Sequence, residues 1–150
     1  MRQLHRWKNW PVFQKQKQDG ENHKMLTAIL IGLILFTFAL LVYSIATWAG
    51  VLSGSLKKWH LILFWIGFVA DVSGTVTIGS VYGGFVMNTH SYLGAIALIV
   101  VLAQNIAATK ILLDKNEKWI TRFPKKVSLP VWVIWMVSYI AGLILSGGSH

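Results

Sequence analysis

The chain has 150 residues, of which 55% are apolar by a count that omits glycine and only 13% are charged, a balance that argues against water as the solvent. Its 14 Lys and Arg against 5 Asp and Glu give a net charge of +9, and the lack of any cysteine excludes a disulfide scaffold, thiolate metal sites and Fe–S clusters. Residues 25–56 and 127–149 carry no charge and 59–109 only Asp71, so the basic residues flank apolar blocks as in membrane proteins, and the expected partner is a lipid bilayer rather than nucleic acid.

Residues 1–24 form a basic polar tail. Trp7, Trp10 and Phe13 recur at three-residue spacing and would lay an amphipathic turn on lipid headgroups, but Pro11 and the polar run 14–22 favour a mostly irregular, solvated chain. The first span, 25–48, is long enough for a hydrocarbon core of roughly 30 Å at about 1.5 Å per residue, and too long for a signal-peptide core. The next apolar stretch, 59–109, is too long for one helix. It is interrupted by the turn-rich segment holding Gly79, Ser80, Gly83 and Gly84, and reads as two spans, 60–79 and 90–112. Pro124 and Pro130 bracket the start of the last span, 129–146, with Pro130 in the first turn, where a missing N–H is harmless. The fold class is therefore all-α, a four-transmembrane-helix antiparallel bundle over 25–150 behind the tail.

On span two, His60, Phe64, Gly67, Asp71, Gly74 and Ile78 follow one another at alternating steps of four and three residues. On span three, His90, Gly94, Ala97, Val101, Gln104 and Ala108 repeat the pattern. Two such stripes predict close backbone packing of span two on span three, with Gly67 or Gly74 touching span three and Ala97 touching span two.

Asp71 lies 11 residues beyond His60, roughly 16 Å deeper along a helix and so near the middle of the bilayer. An ionised carboxylate there costs roughly 2.5–3.5 kcal/mol on the insertion scale, and no Lys or Arg lies at that depth. Asp71 is either protonated or supplied with enough hydrogen bonds to ionise. Thr37 on span one and Ser138 and Tyr139 on span four fall at similar depth, with Thr75 one turn away, and these four with Gln104 on span three are the expected partners. Asp71 then serves as interhelical glue, or as a proton, solute or cofactor site.

Trp48, Trp59, Trp119 and Trp132 fall at one membrane face beside eight basic residues, Lys57, Lys58, Lys110, Lys115, Lys118, Arg122, Lys125 and Lys126. The opposite face carries only the tail's six, Arg2, Arg6, Lys8, Lys15, Lys17 and Lys24. The positive-inside rule puts loops 49–59 and 113–128 in the cytoplasm, clearly so if translation begins at Met25. His60 and His90 invite a haem reading, because neutral imidazoles on facing helices ligate iron from both sides. They begin antiparallel spans, however, which sets them roughly 25–30 Å apart at opposite faces, beyond the reach of one iron.

The segment Lys58, Trp59, His60, Leu61, Ile62, Leu63, Phe64 and Trp65, then Asp71 with Ser73, Gly74 and Thr75, His90 with Gly94 and Ala97, and finally Trp132, Trp135, Tyr139 and Gly142 resemble the HsmA family, small four-helix prokaryotic membrane proteins of unestablished activity. The resemblance covers residues 30–147 and implies a multi-pass protein of the prokaryotic cytoplasmic membrane, beginning near Met25. It also implies a histidine where this chain has Gln104, a pairing reminiscent of haem-b four-helix proteins; the departure leaves His60 with at most one axial partner to find elsewhere.

Three functions follow. The first is a non-enzymatic membrane protein whose interior site, Asp71 with Gln104, Tyr139 and nearby hydroxyls, holds the bundle together or binds a small ligand. The second is an electron-transfer subunit binding haem b or quinone through His60 or His90. The third is a small proton-coupled transporter using Asp71, as a homo-oligomer or within a larger membrane complex, since four helices rarely enclose a solute path. No nucleophile beside a base, carboxylate pair, phosphate-cradling loop or histidine cluster marks a catalytic or metal site.

Overall fold

The computed structural model describes residues 10–83 and 89–147, with side chains over 12–83 and 91–144, and all its regular structure is helical. The elements in order are α1 (Trp10–Ser53), α2 (Lys58–Val81), α3 (Thr89–Leu113), the short α4 (Glu117–Phe123), a π-helical turn (Pro124–Ser128) and α5 (Leu129–Gly147). Four runs, Val12–Ser53, Lys58–Val81, Ser91–Leu113 and Glu117–Ile144, are long and apolar enough to cross a membrane, which bears out the all-α four-span architecture.

The distribution of side chains is the reverse of a water-soluble bundle. Leu30, Ile34, Leu41 and Ile45 on α1, Ile62, Ile66, Val69 and Val76 on α2, Ile96, Ile99 and Ile106 on α3, and Val133, Val137, Ile140 and Ile144 on α5 are all exposed. Thr47, His60, Asp71, Gln104, Asn105 and Ser128 are buried. Helix faces in contact with water are polar; faces in contact with hydrocarbon are apolar.

The most extensive helix pair is α1 with α2. A Cβ added to Gly67 would lie 2.6 Å from the Tyr43 ring, one on Gly74 3.1 Å from Phe36, one on Gly32 2.5 Å from Ile78, and one on Gly50 3.5 Å from His60. All four pairs share one antiparallel register: the steps from Gly32 through Phe36 and Tyr43 to Gly50 equal those from Ile78 through Gly74 and Gly67 to His60. At each of these positions a glycine on one helix receives a larger side chain from the other, and the same register sets buried Ala39 opposite Asp71 and buried Ala46 opposite Phe64. The helices can turn back so directly because Gly54, at φ +65, ends α1 in the left-handed conformation that glycine adopts without strain.

This corrects one expectation. Gly67 and Gly74 meet α1 rather than α3, because Tyr43 and Phe36 fill the holes they leave. Ala97, Val101, Gln104 and Ala108 are buried as expected, but a Cβ on Gly94 would meet nothing within 4 Å, so that end of the α3 stripe closes on nothing. Side-chain hydrogen bonds tie α3 to α2 instead: Asn105 Nδ2 donates to the Phe64 carbonyl at 3.2 Å, and Trp65 Nε1 to Thr109 Oγ1 at 3.3 Å.

Two further differences concern helix ends. From Trp10 the segment expected to be mostly irregular is continuous with span one, giving a 44-residue helix of about 66 Å, roughly twice a hydrocarbon core. Pro11 sits in the first turn, Gln, Lys and Glu are good helix formers, and a helix already nucleated propagates without a new nucleation penalty. Val12 through Thr27 are exposed throughout, and the Trp7 end of the tail lies outside the described residues. Within 113–128, expected as a basic loop, α4 is capped by the Asn116 side chain accepting from Trp119 N–H and runs into α5 through the π-turn. Pro130 offers no N–H to the ladder, and the Leu129 N–H bonds back to the Pro124 carbonyl, which widens the turn. Leu56 N–H bonds the Ile120 carbonyl at 2.8 Å, stitching the α1–α2 loop to α4 at the same end of the bundle.

The glycine pairings make a testable contrast. Gly67→Ala should destabilise the detergent-solubilised protein by about 1–3 kcal/mol, because its Cβ overlaps the Tyr43 ring. Gly94→Ala, which meets no atom, should be neutral or raise stability by about 0.5–1 kcal/mol through helix propensity. Thermal unfolding of both variants checks the register.

Candidate functional site

The buried polar residues come from every spanning helix. Thr47 is on α1, His60 and Asp71 on α2, Gln104 and Asn105 on α3, and Ser128 precedes α5 in the π-turn, each at most 5% exposed. A polar group in hydrocarbon without a partner costs several kcal/mol, so each must be accounted for.

Asp71 is 4% exposed, and its Oδ2 accepts a hydrogen bond from Trp135 Nε1 at 2.6 Å. Trp135 is 5% exposed and packs against two rings. Tyr43 meets it edge-on at 5.3 Å between centroids, and Tyr139 stacks on it at 5.5 Å with 7° between planes. An indole has a single donor and no acceptor, so clamping its plane aims its N–H at one point. The result is a bond between α2 and α5 across the interior.

The five expected partners do not provide that bond. Thr75 Oγ1 donates to the Asp71 main-chain carbonyl at 3.0 Å, not to the carboxylate, and the residue is exposed. Thr37, also exposed, bonds the Leu33 carbonyl, and its hydroxyl lies 3.3 Å from the Tyr139 hydroxyl. Tyr139 thus joins the site through its ring. Ser138 is half-buried with no bond to the carboxylate. Gln104 is buried, and its Oε1 has no protein partner. The donor is an indole, outside the hydroxyls and amides that the turn spacing points to. A signal was present, since a tryptophan in mid-span, away from the interfacial belts, needs an interior acceptor for its N–H.

Asn105 is the other residue that sequence reasoning passed over. It is fully buried, its amide nitrogen holds the Phe64 carbonyl, and its Oδ1 has no protein partner. Nearer the basic end, Trp132 Nε1 donates to Ser44 Oγ at 3.0 Å while its ring meets Trp48 edge-on. Trp48, Trp59 and Trp119 are all more than two-fifths exposed, as an interfacial belt requires.

His60 is wholly buried, and its Nδ1 accepts the Lys57 backbone N–H at 3.1 Å, so the ring caps the first turn of α2. That bond occupies the Nδ1 lone pair of a neutral imidazole and leaves the hydrogen on Nε2, which is buried and has no partner among the described residues. An axial haem ligand needs the opposite tautomer, with Nδ1–H donating and the Nε2 lone pair on iron. His60 as placed does not fit haem, and the His90 side chain lies outside the described residues. Among the described residues no group of three His, Cys, Asp or Glu side chains could hold a metal.

No protein family, no curated protein and no solved structure matches this chain.

The Asp71–Trp135 bond predicts an asymmetry. Trp135→Phe keeps an aromatic ring and removes the donor to Oδ2, and should lower stability by about 1–3 kcal/mol. Tyr139→Phe, which loses one 3.3 Å contact to an exposed hydroxyl but keeps the stack, should fall within about 0.5 kcal/mol of wild type. Denaturation of each in the same detergent decides between them.

Proposed function

We propose that the chain is a multi-pass protein of the prokaryotic cytoplasmic membrane, a member of the HsmA family, and that its interior polar site centred on Asp71 serves a structural, non-enzymatic role. The observation that carries this reading is the 2.6 Å bond from Trp135 Nε1 to Asp71 Oδ2, between two buried groups on helices distant in sequence. In hydrocarbon the alternative to pairing is an unsatisfied group, so a polar pair of this kind joins the helices that carry it. The electron-transfer reading loses support from the tautomer of His60. The proton-coupled reading retains one observation: the group that accepts from Trp135 is a carboxyl, although an amide would accept as well.

Asp71→Asn and Asp71→Leu separate these roles. If the role is structural, Asp71→Asn keeps the fold to within about 1 kcal/mol, and Asp71→Leu, which strands the Trp135 N–H, loses about 1–3 kcal/mol. A pH-gradient-driven flux into proteoliposomes that wild type supports and folded Asp71→Asn abolishes would replace the structural reading with the transport one.

The Leu56–Ile120 end of the bundle carries the eight basic residues, and we assign that end to the cytoplasm. The chain has no cysteine, so Lys118→Cys introduces a single, exposed thiol. It should resist an impermeant maleimide in intact cells and react once they are permeabilised. Labelling of intact cells would reverse the orientation.

A further inference from the structure

Three residues from three parts of the bundle, each with a buried polar atom that has no partner among the described residues, line one cavity. It has a volume of about 10 Å³, and its walls include Tyr43 and Thr47 of α1, Gln104 of α3, Ser128 of the π-turn and Trp135 of α5. Tyr43 Oη, Gln104 Oε1 and Ser128 Oγ are buried and have no protein partner, in residues 4%, 5% and 1% exposed. Their chemistry is complementary to a molecule that both donates and accepts. Gln104 Oε1 can only accept, whereas the two hydroxyls can do either.

Size narrows the ligand to one molecule, since about 10–15 Å³ of space for its centre is what a single water needs, along with two to four polar partners. A quinone or haem does not fit that space. A metal cation would find only neutral oxygens, too few to replace its hydration shell. We propose that this cavity binds one water molecule, which donates to Gln104 Oε1 and accepts from the Tyr43 and Ser128 hydroxyls, bridging α1, α3 and the π-turn.

The backbone explains how one of the three oxygens comes to lie there. A helical residue advances about 100° around the axis, so the extra residue in the π-turn re-aims Ser128 relative to an uninterrupted helix. The hydroxyl it places among the core side chains has no protein atom to bond, which is a geometry that a water completes. This site stands apart from the Asp71 reading: Asp71 is not among the residues that line the cavity, although Trp135 and Tyr43 border both.

Hydroxyl-radical footprinting by a brief X-ray pulse tests the proposal on the full chain in detergent. Radicals form where water is held, so a buried aromatic ring is hydroxylated only if water lies against it. Phe123, 1% exposed and away from the cavity, is the reference. Tyr43 should be labelled several-fold faster than Phe123 in wild type, and the excess should fall in Gln104→Leu and in Ser128→Ala. Ser128→Ala removes one oxygen only and carries the test if Gln104→Leu fails to fold. Asp71→Asn should leave the excess unchanged, which keeps failure of this proposal distinct from failure of the Asp71 reading. Tyr43 labelled no faster than Phe123 overturns the bound water. An excess that survives both cavity substitutions overturns the assigned partners.

Discussion

The rest of the bundle depends on how closely α1 and α2 approach. In hydrocarbon the lipid tails are as apolar as leucine, so helices gain nothing by hiding apolar surface from one another and must be held by packing and polar bonds. The α1–α2 seam meets that constraint by exchange: Gly32 and Gly50 on α1 make room for Ile78 and His60, and Gly67 and Gly74 on α2 make room for Tyr43 and Phe36. Because each helix carries two of the four glycines, sliding either helix by one turn would move Phe36 and Tyr43 off the glycines that receive them. The seam is therefore a register device as well as a contact. It fixes the depth of Asp71, presents Tyr43 to both the Trp135 ring and the cavity, and leaves Gly50 open enough for Pro124 of the π-turn to pack within 3.5 Å of where its Cβ would be.

With that pair set, the remaining helices attach by a different chemistry. α5 bonds the pair through Trp135 to Asp71 and Trp132 to Ser44, both indole donors with their rings held by other aromatics. α3 bonds α2 through Asn105 and Thr109. Aromatic side chains suit this task because they fill space with few rotatable bonds and still carry one directed donor. Ring packing and hydrogen bonding thus act on the same residues, which is why Tyr139 contributes to the Asp71 site through its ring more than its hydroxyl.

The architecture was legible in the sequence because its signals are collective. Charge-free runs, Trp belts and basic flanks each average over many residues, and the four-and-three spacing of His60, Phe64, Gly67, Asp71, Gly74 marks a buried face whatever covers it. What covers it was not legible. A stripe of small residues reports a close approach but carries no address, and the partner is found only by matching steps along α1, where Phe36 and Tyr43 look like ordinary lipid-facing aromatics. The donor to Asp71 was hidden for a similar reason: Trp135 lies in a span whose other tryptophan, Trp132, belongs to the interfacial belt. Helix ends were least legible. Pro11 and Pro130 each suggest a boundary taken alone, yet the first begins a helix and the second is absorbed by a wider turn.

The two kinds of attachment are not equal in strength. Interhelical hydrogen bonds in a bilayer average about 0.6 kcal/mol, so the two that join α3 to α2 are together worth about 1 kcal/mol, whereas parting α1 from α2 undoes four interlocked contacts at once. α3 also carries two interior oxygens with no donor among the described residues. Gln104 Oε1 and Asn105 Oδ1 are both buried, both acceptors, and both without a protein donor. Adjacent residues on a helix point about 100° apart, so one small molecule does not serve both at their closest. Each amide oxygen is completed only by a hydrogen donor, and the water proposed for the cavity supplies one to Gln104 alone.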